Sequence, residues 1–512
     1  MGNLLFTDVE LYDGTGKPPC HADVAVRDDK IAAVAPSGTL TKTGSTVVDG
    51  GGKALVPGFI DVHTHSDAAT FRIPGADSKI AQGVTTDISG NCGSSYYLTG
   101  AKDAPDELRE VYGDFRAFCD LVEKRGPALN VAYLCGHNAL RTHVMGFEDR
   151  KPTAEEMRRM KELLSDALEN GAAGFSSGLF YLPGKFAETE EVKELASLLK
   201  GTGKPYATHM RSEGDQLLEA IGEAIEIARA GDNNLQVSHL KTWGPENWGK
   251  LDDALSLLDH ARKAGLNVLA DRYPYVYCGT TLHMIVPPPF DKVDSLTFCG
   301  HLKESAAYRA EVLEALRTRG TFDMSRVIIV NSPFPEHRIY YGKTLVEIGR
   351  MTDVSPEEAA VDLLSAGDTP VAAMGVMCEK NLEKILADPH VICGSDSSIC
   401  SFGNGGIHPR AFGACPKFFR IAARSCPYAE VIRRMTSLGA AKFNIRGRGV
   451  LAAGYFADMV LLDLDRYDSD ADYGWSNRTP TGVDSVYVNG QLAYSSDPEA
   501  RTVRAGRVLR IR

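Results

Sequence analysis

The chain has 512 residues, 43% of them hydrophobic and 24% charged, a globular balance that excludes a disordered chain, a fibrous repeat or a coiled coil. A formal net charge of −11 and a pI near 5.7 argue against a broad nucleic-acid-binding surface. The 11 cysteines are scattered with no Cys-x-x-Cys pair, so a reduced, cytoplasmic protein is expected rather than a disulfide framework.

The first residues lack the basic and then apolar pattern of a secretory signal. Met1-Gly2 opens like a myristoylation site, but Phe6 stands where Ser or Thr is required. No run of about 18 apolar residues offers a membrane span, so no membrane partner is expected. At about 150 residues per domain, the length admits three domains or one barrel enzyme with appendages.

Residues 3–12 alternate as a strand up to Asp13-Gly14, and 22–34 repeat the pattern around Asp28-Asp29. At the far end, 454–463 reads as a strand and 483–494 as a hairpin about Asn489-Gly490. Each piece is too small to bury much alone, so 1–56 and 445–512 are expected to join in one small β-sandwich. Within 57–444, strand candidates fall at 59–63, 85–88, 131–134, 173–176, 205–209, 235–239, 267–271 and 391–395. Amphipathic helices intervene, among them 153–170 behind a Thr153-x-x-Glu156 capping box, 215–230 and 253–264. The alternation predicts an α/β fold, a (β/α)8 TIM-like barrel. Residues 286–350 open on Pro287-Pro288-Pro289 and carry a strand-like 327–330, so they are expected to form an insertion before the last barrel strand, placed as a lid.

Metal-ligand residue types fall at the carboxyl ends of these strands, where barrel enzymes place their sites. His63 and His65 flank Thr64, and residues i and i+2 of a strand face the same way, so both imidazoles reach one ion. Cys92 follows the second strand, His209 and His239 end the fifth and sixth, and Asp396 follows the eighth. Singly, these are a surface pair, a small buried hydrophobe, polar strand caps and a helix N-cap. Together they put six donors on one rim; Cys and His favour zinc, while Asp ligates metal or acts as a base.

The segment Pro57-Gly58-Phe59-Ile60-Asp61-Val62-His63-Thr64-His65, the strand-end histidines and the tail GVLAAGYFADMVLLD at 449–463 resemble the amidohydrolase superfamily. Asn91-Cys92-Gly93, Gly136-His137, Ser177-Gly178-Leu179-Phe180-Tyr181, Thr208-His209-Met210-Arg211 and Ser238-His239-Leu240-Lys241 narrow the resemblance to the N-acyl-D-amino-acid deacylases, or D-aminoacylases. Tyr273-Pro274-Tyr275, Gly394-Ser395-Asp396 and His408-Pro409-Arg410 complete the series in the family's order, over nearly the whole chain.

That resemblance implies a zinc-dependent hydrolase releasing a carboxylate and a free D-amino acid from N-acyl-D-amino acids, and also from dipeptides with a C-terminal D-residue. D-stereospecificity rests on the resemblance alone. It also implies one tight zinc on Cys92, His209 and His239, with Cys92 able to bridge to a second site of His63, His65 and Asp396. Many amidohydrolases bridge their metals with a carboxylated lysine on the fourth strand; residues 173–177 hold none, which leaves the Cys92 thiolate as the natural substitute. Asp396 would serve as the catalytic base and then as the acid. A substrate carboxylate calls for cations, and Lys241 and Arg410 are placed to bind it; the resemblance adds Tyr181 and one of Tyr273 or Tyr275. His137, Arg211 and His408 read as supporting residues.

The stretch SSICSFGNGG at 397–406 is longer than the family's spacing. Acidic-substrate members carry an arginine early in the insertion, whereas 283–286 here has none, which favours an apolar or mixed substrate side-chain preference over D-glutamate or D-aspartate. Three rivals remain. Gly174-Phe175-Ser176-Ser177-Gly178 matches the G-x-S-x-G elbow of serine hydrolases, yet 179–184 makes a poor helix start. A cyclic-amide hydrolase of the hydantoinase or dihydropyrimidinase kind is opposed by Cys92 and the missing lysine. A metal-free barrel serving as an assembly protein is opposed by the filled ligand positions. Oligomeric state is left open.

Overall fold

The computed structural model describes residues 3–100, 105–293, 295–367, 369–403 and 406–512; Met1-Gly2 and two residues of the 397–406 stretch, Asn404 and Gly405, lie outside them. Eight parallel strands form the central barrel: Phe59–Asp61, Val84–Ser89, Asn130–Tyr133 with its continuation Cys135–Gly136, Phe175–Gly178, Tyr206–His209, Asn234–Val237, Asn267–Arg272 and Val391–Cys393. Consecutive strands pair in parallel, and the eighth lies beside the seventh. The ring closes past the strand ends, where Asp396 N donates to His63 O at 2.8 Å and His65 N donates to Ser397 O at 3.0 Å. That closure draws the chain after the eighth strand against the His63–His65 segment.

The helices bury one stripe each. Ala154–Glu169 starts with Thr153 Oγ accepting from Glu156 N at 3.2 Å, while the Glu156 carboxylate accepts from Thr153 N at 2.7 Å. Its buried Met157, Met160, Leu163, Leu164, Ala167 and Leu168 recur every three or four residues and join the main core. It ends near Gly171, which is left-handed at φ +102°, where a Cβ would meet Arg510 Cβ at 2.5 Å.

Both chain ends meet in one eight-stranded sheet. Met459–Leu462 pairs antiparallel with Ala54–Pro57 on one side and Val483–Val488 on the other. Alternate residues face opposite ways: Val56, Val460 and Leu462 join the barrel's core, while Leu55, Met459 and Leu461 pack with Phe6 and Val24. The last residues leave this sheet. Leu509 N donates to Val131 O at 2.7 Å and Ile511 N to Gly171 O at 2.9 Å, and both side chains enter the apolar cluster with Ile60, Ala132 and Ile392.

The insertion before the last barrel strand has its own sheet, Cys278–Thr281, Val371–Met374 and Val327–Asn331 in spatial order, and its own core about Phe298, Val312 and Leu364. It therefore extends on both sides of the expected 286–350. Cys278-Gly279-Thr280-Thr281 shows no apolar alternation, so sequence pattern gives no strand there.

His137 and Arg141, on helix His137–Met145, converge on Glu191 at 2.8 and 2.6 Å, all three buried. Burial opposes the Glu191 carboxylate, but the bonds from His137 and Arg141 hold its pKa below the ordinary 4.5. A depressed carboxylate stabilises the fold fully above its unfolded pKa and ceases to do so as the pH falls through the native one. Glu191→Ala, which leaves two buried partners uncompensated, is expected to cost about 3–5 kcal/mol at neutral pH. Urea unfolding checks this, and an unchanged midpoint would refute it.

Candidate active site

Cys92 sits on a tight turn after the second strand, left-handed at φ +52° and flanked by Gly90 and Gly93. A Cβ on Gly93 would lie 2.0 Å from Asn138 Oδ1, so only glycine lets the turn dock there. Asn138 pins the end of the fourth strand, accepting from Gly178 N at 3.0 Å and donating to Gly178 O at 2.9 Å. His239 and Asp396 are left-handed too, at +35° and +51°. Strained backbone of this kind persists where surrounding structure enforces it, as at functional sites. Here His239 N donates to Asp271 Oδ1 at 2.8 Å.

The Cys92 sulfur faces three imidazoles: His63 Nε2 at 3.4 Å, His239 Nε2 at 3.6 Å and His209 Nδ1 at 3.8 Å. Asp396 Oδ1 lies 3.1 Å from His65 Nε2 and 3.5 Å from His63 Nε2. Three overlapping donor sets result, Cys92–His209–His239, His63–His65–Cys92 and His63–His239–Asp396, each with all ligand atoms within 4.8 Å of one another. Burial opposes a Cys92 thiolate, yet the His63 charge and bonds from His209, His239 and His63 pull its pKa well below the usual thiol range. Burial likewise opposes ionised Asp396, and Arg410, His65, His239 and His63 outweigh it. A thiolate, imidazoles and a carboxylate turned inward on one point are the donors zinc takes.

The outward nitrogens face carboxylates. His63 Nδ1 lies 3.0 Å from Asp271 Oδ1, and Glu213 reaches His239 Nδ1 at 2.9 Å and His209 Nε2 at 3.6 Å. Such carboxylates fix ring orientation and raise ligand basicity. Glu213, Asp271 and Asn138 are residues that the sequence reading missed. Asp271 carried a usable signal, standing at the carboxyl end of a predicted strand; Glu213, four residues past His209, carried only its spacing.

The residues expected around the substrate divide. Arg410 Nη1 donates to Asp396 Oδ2 at 2.8 Å at the cavity wall. Lys241 lines the inner pocket, but its ammonium is bonded to Glu213 and lies 2.8 Å from His239 Nδ1. Tyr181, half-exposed, places its ring 4.7 Å from that of His209. Tyr273 is fully buried beside the pocket with its hydroxyl unpartnered, its ring between the guanidinium groups of Arg272 at 4.0 Å and Arg410 at 4.8 Å. Tyr275, the other member of that pair, lines neither site cavity, and its hydroxyl donates to Pro409 O at 3.3 Å. His408 supports Arg410, accepting from Arg410 N at 3.2 Å. The serine elbow is not built: Ser176 Oγ donates to Gly90 O, Ser177 Oγ meets Tyr206 and Thr208, and both serines are buried.

A sequence-family model described as the amidohydrolase family matches residues 46–320. The D-aminoacylase of Alcaligenes xylosoxydans xylosoxydans is 35% identical over 99% of this chain and 97% of its own length. This chain is an amidohydrolase of the D-aminoacylase group. The N-acyl-D-glutamate deacylase of the same organism is 32% identical to this amidohydrolase over 98% of the chain and 95% of the relative. Among solved structures, the N-acyl-D-glutamate deacylase from Bordetella bronchiseptica, complexed with zinc and a phosphonate inhibitor, superposes with a TM-score of 0.81 at 30% identity, covering 99% of each chain. A dihydropyrimidinase from Brevibacillus agri, at 14% identity and a TM-score of 0.58, shares the fold.

Proposed function

We infer that this amidohydrolase is a zinc-dependent N-acyl-D-amino-acid deacylase, cleaving the linear amide to a carboxylate and a free D-amino acid. The observation that carries the reading is the Cys92–His209–His239 donor set beside Asp396, in a chain 35% identical over its length to a D-aminoacylase. Cys92, His209 and His239 would hold the tight ion, with His63, His65 and Asp396 as a second site. Zinc bound there supplies a water of pKa about 7 and polarises the amide carbonyl. Asp396, ionised and facing the cavity, takes the attacking water's proton and returns it to the departing amine. Tyr273 and Arg410 wait beside it for the α-carboxylate, with Lys241 behind.

With Lys241 and Arg410 assigned to the α-carboxylate, no further Lys or Arg lines the inner pocket among the described residues. Phe180, Trp243 and Met284 line the remaining wall, which supports an apolar rather than an acidic D-side chain. Eleven free cysteines support a reduced, cytoplasmic setting.

Amine release from paired N-acetyl-D- and N-acetyl-L-amino acids, with zinc content measured on the same preparation, tests the reading. Hydrolysis confined to the D series is expected. Zinc present with cleavage only of hydantoins or dihydropyrimidines would overturn the substrate class. Tyr273→Phe should raise KM by about tenfold to a hundredfold, the worth of a hydrogen bond to a charged group. Tyr275→Phe should stay near wild type, and equal effects in initial rates would refute the distinction.

A further inference from the structure

Two cavities meet at the donor cluster, sharing Tyr181, His239, Gly279 and Asp396. The inner one, about 30 Å3, holds Lys241 and the unpartnered Tyr273 hydroxyl. The outer one is a groove of about 580 Å3 that runs from Asp396 and Arg410 past Ser94, Thr99, Asn138 and Thr142 to Phe147 and Leu182. Beyond Arg410 no charged side chain among the described residues lines it. At its outer end Phe147 and Leu182 are 63% and 42% exposed, an apolar pair open to solvent.

Resting on the deacylase reading, the direction of binding follows from charge. A free α-carboxylate must lie toward Arg410, at the groove's inner end, and toward Tyr273 and Lys241 in the small pocket beyond it, so the amino-acid half takes the inner end of the groove. The carbonyl carbon stays at the donor cluster, and whatever it carries leaves through the groove. The groove lies in the size range of whole ligand pockets; with the amino-acid half at its inner end, an acetyl methyl would still leave the stretch from Thr99 and Thr142 to Phe147 and Leu182 unfilled. We propose that the groove is an acyl-chain site and that the preferred substrates are N-acyl-D-amino acids bearing uncharged, medium-length aliphatic acyl groups. Among the described residues the outer part of the groove carries uncharged side chains, and Phe147 and Leu182 cover the distal methylenes.

The test compares kcat/KM for N-acetyl-, N-hexanoyl- and N-octanoyl-D-leucine on the zinc-loaded enzyme. A buried methylene is worth up to about fourfold, so a rise of at least about tenfold from acetyl to octanoyl is expected even in an open groove. Phe147→Ser should reduce the octanoyl-to-acetyl ratio. Thr142→Phe, which fills the groove midway, should abolish the octanoyl advantage while acetyl cleavage persists. Acetyl cleaved as well as octanoyl, or a ratio unmoved by both variants, would overturn the acyl-chain site and leave the deacylase standing. Failure of every D-substrate, acetyl included, would overturn both.

Discussion

Asp396→Asn is expected to retain the fold and at least one zinc ion and to lose at least the about 10²–10⁴-fold that general acid–base catalysis contributes. The substitution keeps the side chain's shape, and the backbone bond from Asp396 N to His63 O at 2.8 Å is indifferent to it. What changes is chemistry. The carboxylate offers one oxygen to His65 and His63 and the other to Arg410. An amide keeps one of these acceptors and turns NH2 on the other, and it cannot hold the water's proton at neutral pH. Circular dichroism, zinc content and kcat on an N-acetyl-D-amino acid separate folding, binding and turnover. A kcat within tenfold of wild type would remove Asp396 from the reaction.

The second large effect belongs to Cys92. Cys92→Ala deletes the donor that three imidazoles face, and zinc affinity should fall by more than the about 10–100-fold typical of losing a group that only supports a ligand. Turnover should fall with it. The left-handed backbone at φ +52° adds a control. Cys92→Gly relieves that conformation, worth about 1–2 kcal/mol for a non-glycine residue, so metal-free Cys92→Gly should resist urea better than Cys92→Ala while binding zinc no better. Full zinc occupancy in either variant, measured by atomic absorption after dialysis, would move the tight site elsewhere.

The barrel was legible because its strands are buried on both faces and read as short apolar runs ending in polar residues. Six ligand candidates stood at those ends, and the structure brings all six within one cluster. Tyr273 and Tyr275 were inseparable by sequence because residues two apart share a strand face. Beyond Arg272 the chain is no longer a strand: Tyr275 N donates to Tyr273 O at 3.0 Å, a tight turn that sends the second ring toward His408. Glu213 and Asn138 lie in a loop and at the start of a helix, where polar residues are ordinary, so only three-dimensional proximity reveals them. The final residues gave no sign of leaving the terminal sheet, since a short apolar stretch serves a sheet edge or a barrel base equally well.

The pairing of Ala54–Pro57 with Met459–Leu462 has a consequence for synthesis. The N-terminal strands emerge from the ribosome with their neighbouring strand still unmade. At about 5–20 residues per second, translation of the intervening chain takes on the order of a minute. During that interval Ala54–Pro57 is an apolar edge awaiting its partner, and the barrel base still lacks the Ile511 side chain that packs there. The terminal sheet is therefore completed late, and the nascent chain's exposure to chaperones is set by the order in which the gene is read.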